Sequence, residues 1–216
     1  MAKPKNEEAA KRIERCAFGI LLDHGYGSMS HQAISDATGY SRAFIQRYLP
    51  KKEDAIRGFI ARLLACMDEW VETEIAPNDP YEAMALTGQL YFEFLSTEWV
   101  KPLALDLLKN RDLSNVIITS NLEYQQRHRP VEDDASTSED LFRIIGGAYE
   151  VVYMCLKSGL PVDAASESLG IVTAFSEVAG DNDSNALKHL EAKMLDSETA
   201  KSSIKQIIDN LLNSYD

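Results

Sequence analysis

The stretch Ser30 to Leu49, SHQAISDATGYSRAFIQRYL, decides how the rest of the chain is read. Ser30 suits a helix N-cap, and Ala33, Ile34 and Ala37 follow at helical spacing until Gly39, which can take the left-handed conformation that closes a helix. Ser41 then caps another short helix carrying Ile45 and Leu49 one turn apart. Pro50 ends it near Leu49, because the residue before a proline avoids helical geometry. Two short helices therefore flank a glycine turn, with Ile34 and Ser35 on one side and Ile45 and Tyr48 or Leu49 on the other. These are the requirements of a helix-turn-helix, although other helical hairpins also meet them.

The same pattern extends outward in both directions. Upstream, Asn6 is placed to cap a helix with Glu7 and Glu8 in its first turn and Ile13, Cys16, Ala17, Ile20 and Leu21 on one face, ending at His24-Gly25. Downstream, Ala55, Ile56, Phe59, Ile60, Leu63, Leu64, Met67, Trp70 and Val71 predict a longer helix that runs until Pro77. Further helical segments are predicted at about 80–98, 100–109, 112–128, 138–158, 162–179 and 183–214, the last broken near Asp196. Val116, Ile117 and Ile118 would also suit a strand, but no alternating partner run exists to build a sheet. The fold class expected is all-α. Residues 1–5, Pro130 to Ser138 and Gly180 to Ser184 are expected to be disordered.

Hydrophobic residues at 45% and charged residues at 26% are enough to bury a core and argue against wholesale disorder. The net charge of −12 is unevenly spread. Residues 1–62 hold eleven Lys and Arg against seven Asp and Glu, whereas the remainder holds eleven against twenty-seven. A basic head on an acidic body attracts a polyanion to one end and repels it from the other, which is consistent with end-on binding to a duplex. Cys16, Cys66 and Cys155 are odd in number and far apart, offering neither a disulfide framework nor a CxxC site, and a reducing cytoplasm fits them best. No apolar run long enough to span a membrane and no secretory leader is read, so a cytoplasmic protein without a membrane partner is expected.

From Ile13 to Ile60 the chain resembles the DNA-binding domain of the tetracycline-repressor (TetR) family of transcriptional regulators. The resemblance rests on Gly25-Tyr26 closing the first helix, Ser30 opening the second, and Ile34 through Gly39 leading into Tyr40-Ser41-Arg42-Ala43-Phe44-Ile45. Pro50-Lys51-Lys52-Glu53-Asp54-Ala55 then opens the fourth helix, as in that family. Gln46 and Leu49 stand where many members carry aromatic residues, and His31 stands where an apolar residue is usual. The implied organisation is a helix-turn-helix DNA-binding domain over residues 1–52 and a helical effector-binding and dimerisation domain over 53–216.

The resemblance places Arg42, Ala43, Gln46 and Arg47 outward on the third helix, toward base edges, with Phe44 and Tyr48 divided between DNA contact and core packing. An Arg can read guanine or hold phosphate, and the Gln46 amide can pair with adenine. Lys51 and Lys52 begin a helix, where the macrodipole disfavours positive charge by some tenths of a kcal/mol. An opposing phosphate removes that conflict, and Lys52 matches the family position associated with phosphate, although Glu53 and Asp54 can also compensate locally. Ser30 and Ser41 offer donors to phosphate or serve as caps alone, and His31 and Gln32 lie at the exposed start of the second helix.

In the body the aromatic residues read first as plain core. The family resemblance implies a small-molecule cavity among the middle helices, with Tyr91, Phe94, Trp99, Tyr124, Tyr149 and Tyr153 as its candidate lining, and Glu93, Glu98 or Glu150 to orient a polar or cationic ligand. Leu141 to Leu156 and Val162 to Val178 carry broad apolar faces that suit a homodimer built as a four-helix bundle, or an intrachain core. The expected function is a homodimeric regulator, a repressor by family analogy, that binds a palindromic double-stranded operator and is released by a small effector. A helical protein-interaction scaffold is the second reading. No catalytic residue, metal site or cofactor is expected, since the histidines are scattered and no HExxH, CxxC, GxSxG, Walker or GxGxxG pattern occurs; an enzyme using Glu93 or Glu150 ranks last.

Overall fold

A computed structural model describes residues 7–128, 135–178 and 189–215. Among them the chain is all-α, with ten α-helices and no strand: α1 (Glu7–Ser28), α2 (His31–Thr38), α3 (Arg42–Tyr48), α4 (Lys52–Trp70), α5 (Pro80–Ser96), α6 (Lys101–Lys109), α7 (Arg111–His128), α8 (Ala135–Ser158), α9 (Ala164–Val178) and α10 (Ser197–Asn213). Val116, Ile117 and Ile118 lie inside α7. The proposed cap at Asn6 and the expected disorder at 1–5, 130–134 and 180–184 lie outside the described residues. Ala135 to Ser138, expected to be disordered, instead form the start of α8.

Local chemistry sets the boundaries. The Ser30 hydroxyl accepts from the Ala33 N–H and Gly39 closes α2 at φ 78°, a conformation in which a side chain is strained. The Ser41 hydroxyl accepts from the Phe44 N–H to open α3. Asp79 and Asp196 cap α5 and α10, and Pro80 occupies the first turn of α5, where its missing N–H is not needed. α1 runs past the predicted end at His24-Gly25 to Ser28, but Gly25, at φ 75°, breaks it at that point. α4 continues as a π-helical turn over Val71–Ile75 and stops at Ala76.

α5 is buried on nearly every side from Tyr81 to Leu95, and is the helix around which the body is built. It packs on α9, α10 and α4, while α1 packs on α6 and α2. One continuous apolar core links α1–α4 with the body. Within it, Phe18 of α1 meets Phe59 of α4 edge-on at 5.2 Å, and Phe59 meets Phe94 of α5 at 6.1 Å.

The α5–α9 contact depends on Gly88. A Cβ built there clashes with the Ser168 hydroxyl and lies 3.3 Å from the Ser168 Cβ, while that hydroxyl donates to the Ala85 carbonyl at 2.6 Å. Gly88→Ala is expected to wedge the two helices apart and to lower stability by about 1–3 kcal/mol. Adding Ser168→Ala should recover part of that loss in urea denaturation; no recovery would show that the strain lies elsewhere.

Candidate functional site

Ile45 is fully buried, and Leu49 is buried beside it, so α3 is fixed by one side. Its opposite face presents Arg42, Ala43, Gln46 and Arg47, all exposed, with Ser41 exposed at the helix start. Positions 42, 43, 46 and 47 share one face at helical periodicity. Among the described residues neither arginine has an ion-pair partner, so both guanidinium groups are available to an external anion. Phe44 and Tyr48 are half-buried and stack along the flank of α3: Tyr40 to Phe44 is 5.0 Å between ring centres, and Phe44 to Tyr48 is 5.0 Å. Arg12 of α1 lies over the Tyr40 ring at 5.8 Å. Local spacing did not point to Arg12, because its place beside Tyr40 comes from α1 packing on its neighbours.

The neighbouring candidates have internal roles as well. His31 is half-buried, and its Nε2 lies 2.7 Å from the Leu49 carbonyl, tying the start of α2 to the end of α3. The Gln32 amide, exposed as expected, donates to Asp36 at 2.7 Å. Lys51 is exposed at the N-cap of α4, where its backbone N–H donates to the Asp54 carboxylate. Lys52 is half-buried, with Nζ 3.8 Å above the centre of the Tyr26 ring. Burial lowers the Lys52 pKa. The dipole conflict foreseen for these lysines is therefore met partly from within, by Asp54 and by the Tyr26 face.

The Tyr26 hydroxyl donates to Glu53 at 2.9 Å. Hydrogen bonds from the Glu53 backbone N–H and from Tyr26 hold the Glu53 carboxyl below its usual range, while burial and then Glu53 push the Tyr26 hydroxyl up to about 12. The lowered Glu53 value contributes stability above the ordinary carboxylate range, lost on acidification. The raised Tyr26 value contributes below the ordinary 10.0 and is lost as pH rises towards about 12. Tyr26→Phe should therefore cost about 0.5–1 kcal/mol at neutral pH, the low end reflecting solvent screening, with the difference from the parent shrinking at both extremes. Urea titrations of both proteins across pH check this; a pH-independent difference would remove the hydrogen bond as its source.

The body candidates divide into two groups. Tyr91, Phe94, Tyr124 and Tyr149 are buried. The Tyr91 and Tyr149 rings lie 6.2 Å apart, Asn121 donates to the Tyr149 hydroxyl at 2.7 Å, and the Tyr124 hydroxyl donates to Asp68 at 2.7 Å. Among the described residues the Tyr91 hydroxyl and the Thr87 hydroxyl are buried without a hydrogen bond of ordinary geometry. Burial pushes the hydroxyl pKa values of Tyr91, Tyr124 and Tyr149 well up. Helices α4, α5, α7 and α8 thus enclose a polar cluster inside an apolar body, with hydrogen-bonding capacity to spare. Trp99 meets Phe94 edge-on at 6.3 Å but lies outside the polar cluster, and Tyr153 does not join it. Trp99 is 46% exposed and lines a separate groove of about 440 Å³ with Leu22, Ile208 and Leu212, and Tyr153 is half-buried below the Lys157 ammonium.

No family model, curated protein or solved structure matches this chain. What the site does is therefore argued from its geometry. Among the described residues no group of three or more His, Cys, Asp and Glu side chains is arranged to hold a metal, and no helix is long and apolar enough to cross a membrane.

Proposed function

We propose that the chain is a DNA-binding transcriptional regulator, a repressor of the kind its resemblance to the tetracycline-repressor family implies. In this reading α2 and α3 form the helix-turn-helix of the N-terminal domain, and α3 enters the major groove of a double-stranded operator. The observation that carries it is the exposed face of α3, whose arginines have no ion-pair partner among the described residues. Arg42, Gln46 and Arg47 project from a helix whose other side is locked by Ile45 and Leu49, on the basic head of an otherwise acidic chain. Arg42 and Arg47 then read guanine or hold phosphate, Gln46 reads adenine, and Ser41 and Lys51 approach the backbone.

A palindromic operator requires two heads. α8 exposes Val151 at 47% and Met154 at 50%, about one turn apart on an apolar face that a second copy covers in a homodimer. The polar cluster of Tyr91, Tyr124 and Tyr149 is the site where a small effector binds and shifts the dimer to a spacing that no longer fits successive turns, by no more than its differential affinity for the two geometries. The regulator acts in the cytoplasm, in keeping with its three free cysteines.

Fluorescence anisotropy on duplex DNA across a salt series tests the DNA step. Affinity should fall steeply and log-linearly with salt, with a slope near −0.9 per phosphate contact. Absence of binding at low salt would remove the reading and leave a protein-interaction scaffold as the better one.

A further inference from the structure

The end of α5, the start of α6, the α8–α9 turn and the first turns of α10 line an open cavity of about 390 Å³. It shares no lining residue with α3 or with the tyrosine cluster. Its volume is in the range of small-molecule sites, about 300–1,000 Å³.

Glu93 lines it and is only 6% exposed. Among the described residues its carboxylate has one partner, Lys201 Nζ at 3.5 Å, on a side chain that is 59% exposed. A buried carboxylate requires pairing and hydrogen bonds, and this one, with acceptor capacity for about four, has a single long ion pair to a solvent-exposed cation. Lys101 supplies a second ammonium to the lining, paired at 3.6 Å with Glu98, which is 88% exposed and therefore only weakly held. The rest of the lining mixes the apolar Leu156, Leu160, Pro161 and Val162 with Ser96 and Ser197, and Leu160 is 61% exposed at the turn. The charges of Glu93, Glu98, Lys101 and Lys201 cancel. A simple cation entering the cavity meets two lysines, and a simple anion meets Glu93. A molecule carrying both charges and an apolar group matches both the charged and the apolar parts of the lining.

We propose that this cavity binds a small zwitterion of the amino-acid type. Its ammonium sits on the Glu93 carboxylate, its carboxylate on Lys101 and Lys201, and its apolar side chain against Leu156, Leu160 and Pro161. The site is independent of the DNA reading, because binding is measured on the free protein.

Isothermal titration calorimetry of the full chain with each proteinogenic L-amino acid at millimolar concentration tests it. The expected result is that at least one with an apolar side chain binds. Its amide, lacking the carboxylate, and its N-acetyl derivative, lacking the ammonium, should each bind at least about tenfold more weakly. Glu93→Gln should weaken binding by a similar factor. Because Glu93 is buried, Lys201→Ala serves as the second variant; it leaves Glu93 without its ion-pair partner, so a lower melting temperature is expected beside the same loss of binding, which is measured where the variant is still folded. Failure of every amino acid to bind overturns the proposal. So does equal binding of the amide and N-acetyl forms, or undiminished binding by folded Lys201→Ala.

Discussion

Alanine at Arg42, Gln46 and Arg47 together is expected to leave the fold intact and to weaken duplex binding at least about a hundredfold. Each lost base contact is worth about 1–3 kcal/mol, and a dimer loses the set twice. All three side chains are exposed, so stability should change by no more than about 0.5 kcal/mol. The contrast with Lys52 is informative. Its ammonium rests on the Tyr26 ring, so Lys52→Ala should lower stability as well as affinity, and only the part of the affinity loss that flattens the salt slope reports phosphate. Anisotropy titrations beside circular-dichroism melts separate these effects. A triple variant that is folded and binds as tightly as the parent would take α3 out of the groove.

Phe59→Ala is expected to produce the largest loss of stability, about 3–5 kcal/mol. Its ring is fully buried where α1, α4 and α5 meet, against Phe18 on one side and Phe94 on the other, so truncation opens a cavity between the head and the body. Since one apolar core runs through both, the whole chain should unfold in a single transition displaced to lower urea. Trp99→Ala, at an exposed position beyond the end of α5, should cost far less. A small loss from Phe59→Ala, or separate transitions for head and body, would mean that the two are not joined through this ring.

Much of this architecture was legible in the sequence because short-range chemistry fixes it. Ser30 and Ser41 are caps by residue type, Gly39 closes α2, the break read near Asp196 is the start of α10, and Ile45 and Leu49 define the inside of α3 and hence its outside. Ala135 to Ser138 were misread because Ser and Thr followed by Glu139 and Asp140 suit a helix start as well as a polar loop. Tertiary partners were not legible. Spacing places Lys52 at a helix start but gives no sign that Tyr26 lies beneath it, and His31 reads as exposed until the Leu49 carbonyl is brought to it. The aromatic residues show the same limit. Tyr91 and Tyr149 turn inward to face each other while Trp99 and Tyr153 do not, a division made by helix packing rather than by composition. The exposed face of α8 was legible only as apolar, since periodicity cannot tell an intrachain core from a surface shared with a second copy.

Selection of bound sequences from a random library of duplex DNA tests the central claim most directly. The expected outcome is enrichment of an inverted repeat whose half-sites lie one helical turn, about 34–36 Å, or a small multiple of it apart, with the enrichment lost in the Arg42, Gln46 and Arg47 triple variant. Recovery of no sequence above background at low salt, or an identical enrichment by the triple variant, would contradict it.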